Sequence, residues 1–179
     1  MSVLDKIVAA VTPPHSDEQR AEARLKARAC AEPGDWLSAI LDHHERIEAA
    51  FKTLKATTDP AAREAAQRKL ATLLNGHSMA EEATVYPALA DEGGMIDADM
   101  AYLQQMAAKM QMAALEKLDP FSQDYTDKLG DLEGAVQTHV YEEENHWFPR
   151  LQARASPEQR ARVTKRYTEE FDRYTGVEV

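Results

Sequence analysis

The sequence predicts an all-α protein built as a four-helix bundle with short extra helices at both ends, and three observations carry that expectation. Helix-favouring Ala, Leu, Met, Glu, Gln, Lys and Arg dominate, while the 7 Gly and 8 Pro fall in a few clusters that read as breaks. Apolar residues recur at helical spacing through the long segments between those breaks. A length of 179 residues suits one core with helical additions better than two independent domains.

Residues 1–34 read as an N-terminal extension of two short helices, about 2–11 and 17–31, separated by Thr12-Pro13-Pro14. Ser16 with Gln19 three residues later is a capping box for the second. After Glu32-Pro33-Gly34, the main domain covers 35–154. Asp35 caps a helix to about residue 57, and Asp59-Pro60 opens the next, which runs to about Ala90 with Pro87 near its end. Gly93-Gly94 makes the turn. A third helix over about 97–118 stops at Asp119-Pro120, and a fourth runs over about 122–154, kinked by Pro149. Residues 155–179 hold a C-terminal helix and tail, opened by the capping box of Ser156 and Gln159 with Pro157 at the first helical position.

The 21 basic and 31 acidic residues give a formal charge of −10, which opposes attraction to nucleic acid or anionic lipid. Cys30 is the single cysteine, so no intrachain disulfide forms. The apolar run in MSVLDKIVAAV is too short for a signal or a membrane span, and a cytoplasmic protein is expected.

Polar residues sit inside the apolar stripes. In the first long helix the stripe is Leu37, Ile40, Leu41, His44, Ile47, Glu48, Phe51; in the second, Leu70, Leu73, Leu74, His77, Glu81, Thr84, Val85; in the fourth, Leu129, Leu132, Val136, His139, Val140, Glu143, Trp147. Residues i and i+4 share a helix face, so His44/Glu48, His77/Glu81 and His139/Glu143 each present an imidazole and a carboxylate toward the core. With 18 Glu among 179 residues, three such pairs arise by chance in only about one or two per cent of sequences of this composition. Buried carboxylates each cost several kcal/mol unless neutralised. Lys109 and Arg150 are too few for the task, whereas a metal ion neutralises several at once. Imidazole and carboxylate donors suit iron, with manganese or zinc also possible. His43 flanks the stripe as a ligand, a residue that orients one, or a solvated side chain, and Glu82 and Glu144 orient ligands from beside them. Glu143 and His146 form a Glu-x-x-His pair with no second copy, and His15 is expected in solvent.

The segments Asp42-His43-His44-Glu45-Arg46-Ile47-Glu48 with Phe51, His77-Ser-Met-Ala-Glu81-Glu82 leading into Val85-Tyr86-Pro87-Ala88-Leu89, and His139-Val-Tyr-Glu-Glu143-Glu144 leading to Trp147-Phe148-Pro149-Arg150-Leu151 resemble the hemerythrin-like, or HHE cation-binding, domain over roughly 36–152. The resemblance implies an antiparallel up-down bundle with a non-haem di-iron centre, held by His44, His77, Glu81, His139 and Glu143 with the glutamates as bridges, that binds or senses oxygen, nitric oxide, peroxide or iron. Members usually add histidines from the third helix; here that helix has none and its stripe reads Asp99, Tyr102, Leu103, Met106, Met110, Ala113. Tyr102 is either a replacement ligand, binding ferric iron as a phenolate, or a core tyrosine packed beside the methionines, with Asp99 a further candidate ligand. The oxygen carriers have an aspartate where this chain has Glu144, which argues against reversible oxygen carriage. The expected function is therefore an iron protein, with two ions, that binds, senses or reacts with a small oxidant. The alternatives are a peroxidase-like, catalase-like or nitric-oxide-consuming enzyme at the same centre, and an interaction module with a structural or zinc site whose terminal helices dock a partner. Acid should release the metal by protonating its donors.

Overall fold

The computed structural model describes residues 15–176, so the expected helix at 2–11 lies outside the described residues. Those residues form helices α1 (Asp17–Cys30), α2 (Trp36–Ala56), α3 (Pro60–Asp91), α4 (Met95–Leu115), α5 (Gln123–Glu142), a π-helical turn (Glu143–Trp147), α6 (Phe148–Arg154) and α7 (Pro157–Thr175), with no strand among them. The predicted starts are the observed ones wherever a side chain caps the helix. Asp35, Asp59 and Ser122 accept from the backbone N–H three residues on, and Ser16 and Ser156 complete their capping boxes with Gln19 and Gln159.

α4 begins two residues earlier than its sequence suggests. It follows Gly94 without any side-chain cap. Gly93 takes a positive φ of 81°, and a Cβ on Gly94 would lie 2.7 Å from the carbonyl oxygen of Leu89 and 2.7 Å from an Arg150 guanidinium nitrogen. Gly94→Ala is therefore expected to cost about 1–3 kcal/mol as overpacking against backbone. A thermal melt should register a drop of several degrees, and an unchanged midpoint would show that the turn relaxes freely.

α2, α3, α4 and α5 pack in succession, each on the next, around Phe51, Leu54, Leu70, Leu73, Leu129 and Leu132. α7 lies along α3 and touches α2, while α1 covers α2, the π turn and α6. Two prolines explain part of this seating. Pro87 cannot donate to Ala83 and Pro149 cannot donate to Asn145, so each leaves a helical carbonyl without its usual partner. Arg166 of α7 reaches the Ala83 oxygen at 3.4 Å, and Lys26 of α1 reaches the Asn145 oxygen at 2.8 Å. The terminal helices thus meet backbone acceptors that proline leaves open.

On α4 the buried residues are Ala98, Ala101, Gln105, Met112 and Leu115. The stripe expected from its larger apolar residues faces outward: Tyr102, Leu103, Met106 and Met110 are between 38% and 56% exposed, and Asp99 and Ala113 are exposed too. The small residues Ala98 and Ala101 line the side toward the core, so size and hydropathy pointed to the wrong face.

Candidate metal centre

Helices α2 and α3 and the π turn bring His44, His77, Glu81 and Glu143 together with one donor atom from each lying within 4.8 Å of the others. All four are buried, Glu81 and Glu143 at 0% exposure. The pairs on α3 and α5 close as helical spacing predicts: His77 Nε2 lies 3.3 Å from Glu81 Oε2, and His139 Nε2 lies 3.2 Å from Glu143 Oε1. His44 Nε2 meets Glu143 Oε2 at 3.3 Å instead of its own i+4 partner.

Glu48 does not join the cluster. It stands on the flank of α2 that α1 covers, 44% exposed, with both oxygens held by Arg24 at 2.8 and 3.0 Å. Tyr102 does not join it either. Because α4 turns its large side chains outward, the Tyr102 hydroxyl donates to the Glu82 carbonyl at 2.8 Å. The phenol at the centre belongs to Tyr86, fully buried on α3. Its hydroxyl donates to Glu143 at 2.8 Å and lies 3.1 Å from both Glu81 Oε2 and His139 Nε2. α4 contributes an amide: Gln105 Nε2 donates to Glu81 at 2.6 Å and also contacts the Tyr86 hydroxyl. Gln105 carries a weak signal, since it continues the Ala98, Ala101 spacing toward Ala108 and Met112, and Tyr86 lies in Val85-Tyr86-Pro87-Ala88-Leu89, off the i, i+4 ligand spacing.

Each histidine is oriented through its other nitrogen. His44 Nδ1 is 2.9 Å from Glu144 Oε1, which also accepts from Arg24 Nε at 2.9 Å. His139 Nδ1 is 2.8 Å from Gln104 Oε1. His77 Nδ1 is 3.1 Å from the Tyr167 hydroxyl, which sits 2.8 Å from His43 Nδ1. If each ligand ring carries its proton on Nδ1, then His77 donates to Tyr167 and Tyr167 donates to His43, leaving every Nε2 lone pair toward the cluster. His43 is thus an orienting residue, its ring stacked 3.8 Å from Phe171. His15, expected in solvent, instead stacks 3.5 Å from Tyr141, and His146 is exposed.

The π turn begins at Glu143 and allows consecutive glutamates to be buried, Glu143 in the cluster and Glu144 against His44. The cluster's electrostatics show its need for positive charge. Burial alone would lower the His44 pKa, yet the adjacent carboxylates of Glu143 and Glu144 hold it at about 10. Burial and the Glu143 charge push Glu81 well above the usual carboxylate range, whereas burial of Glu143 is outweighed by His139 and His44, which hold it low. Burial and the His44 charge hold His77 well below its ordinary value. Without a metal the cluster therefore favours a charged His44 imidazolium and an uncharged Glu81 carboxyl. His44 Nε2, His77 Nε2, Glu81 Oε1 and Glu143 Oε2 have no hydrogen-bond partner although fully enclosed. Buried polar atoms are rarely left so, and a cation satisfies all four, so the residues fit a metal ion.

Beside the cluster lies a cavity of about 40 Å³, lined by Ile47, Ala108, Met112, Val136 and Val140 with His77, Gln105 and His139 at its polar end. That is space for a water-sized or diatomic molecule.

The sequence model of the Hemerythrin HHE cation binding domain matches residues 36–151. A protein of Nostoc sp. (strain PCC 7120 / SAG 25.82 / UTEX 2576) described as a DNA nickase is 25% identical over 128 residues, covering 72% of this chain and 35% of that protein. The chain thus spans about a third of that relative's length. No solved structure matches it.

Proposed function

Since the chain belongs to the hemerythrin HHE cation-binding family, we propose that it is a non-haem di-iron protein whose four long helices form an antiparallel up-down bundle and whose centre binds, senses or reacts with a small oxidant. The observation that carries this is the convergence of four enclosed, unpartnered donor atoms on His44, His77, Glu81 and Glu143. These residues would hold one ion. His139 and Tyr86 would hold a second, with Glu81 and Glu143 shared between the two. The donors are nitrogen, carboxylate and phenol, which favours iron over softer-ligand metals. Bound iron supplies one-electron chemistry toward oxygen, peroxide or nitric oxide.

The chain's own contribution is positioning and selection. Gln105 fixes the Tyr86 hydroxyl and Glu81, and the apolar cavity admits a diatomic or peroxide-sized molecule while excluding larger ones. The activity in the Nostoc relative's description does not carry over, because the match spans only 35% of that protein and a formal charge of −10 repels DNA.

Metal analysis of protein expressed with iron should give two irons per chain and a near-ultraviolet band under air. Ferric iron bound to Tyr86 should add a visible charge-transfer band that Tyr86→Phe removes and Tyr102→Phe leaves intact. Under one iron per chain would sink the reading, as would zinc alone; a band lost only in Tyr102→Phe would restore the ligand expected from sequence. Sustained consumption of peroxide without bleaching would identify the centre as enzymatic.

A further inference from the structure

Among the described residues, no element covers the outward face of α4. Met95, Ile96, Met100, Leu103, Met106 and Met110 are 59%, 80%, 45%, 56%, 50% and 55% exposed. Together they present on the order of 700 Å², above the largest patch of an ordinary monomer and close to one partner's share of a standard interface. The positions are also ordered. Ile96, Leu103 and Met110 are seven residues apart, and Met106 completes an a/d seam of the kind that pairs helices.

From this face we propose that α4 pairs with the α4 of a second copy, antiparallel, about a twofold axis through Leu103. The sequence is symmetric about that residue: Ile96 and Met110 lie seven positions to either side, and Met100 and Met106 lie three. An antiparallel copy therefore sets Ile96 against Met110, Met100 against Met106, and Leu103 against itself, which is the self-complementarity an isologous interface requires. Asp99, the one acidic residue within that face, falls opposite Ala107, so the pairing brings no like charges together. An anionic lipid surface is a poor occupant, because residues 95–108 contain no Lys or Arg. Gln105 is buried on the opposite side of α4 and contacts Glu81, so the dimer would brace the helix that closes the metal cluster from one side.

Sedimentation of the full chain between about 1 and 100 µM should show a species of twice the 20.0 kDa chain mass. Leu103→Glu places two carboxylates on the axis, and the dissociation constant should rise at least a hundredfold with helical content and iron loading unchanged. In a Cys30→Ser background, Leu103→Cys should oxidise to a covalent dimer, whereas Leu25→Cys, 71% exposed on α1, should not. A chain that stays monomeric at 100 µM would overturn the proposal, and so would a dimer that neither Leu103→Glu weakens nor Leu103→Cys traps. If Leu103→Glu fails to fold, the cross-link still decides.

Discussion

Iron loading is expected to raise the thermal unfolding midpoint of the native chain by roughly 10 °C or more, and to leave the midpoint of Glu143→Ala where it was. A ligand at about a thousand times its dissociation constant stabilises by about 4 kcal/mol, and each kcal/mol moves a chain of this size by about 2–4 °C. The native protein has reason to respond strongly. Glu81 and Glu143 are fully buried, each with an oxygen that lacks a hydrogen-bond partner, and burial together with the Glu143 charge pushes the Glu81 carboxyl well above the usual carboxylate range. Removing one partner from a buried charged cluster costs about 3–5 kcal/mol, so the metal-free variant also starts from a different baseline. Glu143 touches His44, His139 and Tyr86, so its loss removes the contact common to both halves of the centre. Glu143→Gln keeps the volume and guards against a simple cavity effect; it should bind at most one iron. Equal shifts in the native chain and in both variants would place the metal elsewhere.

How much of this was legible in the sequence follows from which signals are local. Helix caps are local, and Ser16, Asp35, Asp59, Ser122 and Ser156 mark true starts. The pairs His77/Glu81 and His139/Glu143 are local too, because i and i+4 must stack. Glu48 has the same spacing but is drawn away by Arg24, a residue 24 positions earlier whose arrival depends on how α1 docks. The face of α4 was misjudged for a related reason. Periodicity finds a stripe, but whether the stripe meets the core or another surface is decided by neighbours, and on α4 the alanines and Gln105 face inward. Tyr86 was hidden by its position two residues beyond Thr84 and five beyond Glu81, off the ligand spacing yet on the helix that carries the ligands.

The terminal helices lie outside the span matched by the family, yet two of their residues orient the histidines, and substituting either is expected to weaken iron binding about 10- to 100-fold. Arg24 of α1 holds Glu144, and Glu144 fixes His44; the Tyr167 hydroxyl of α7 bridges Nδ1 of His77 and Nδ1 of His43. Tyr167→Phe preserves the ring's packing against Phe171 and removes only the hydroxyl, leaving the His77 Nδ1 proton without an acceptor. The imidazole is then free to rotate or to carry its proton on the ligating nitrogen. Arg24→Met keeps an apolar stem beside α2 and leaves the buried Glu144 without its cation. A merely structural role for the terminal helices predicts a different pattern. Arg28, on the same face of α1, pairs with the exposed Asp42 and Glu45, so Arg28→Met should loosen α1 about as much without touching any ligand. Chelator competition separates the two cases. Iron affinity should fall in Arg24→Met and Tyr167→Phe and hold in Arg28→Met, whereas equal losses in all three would mean that the helices only shield the centre.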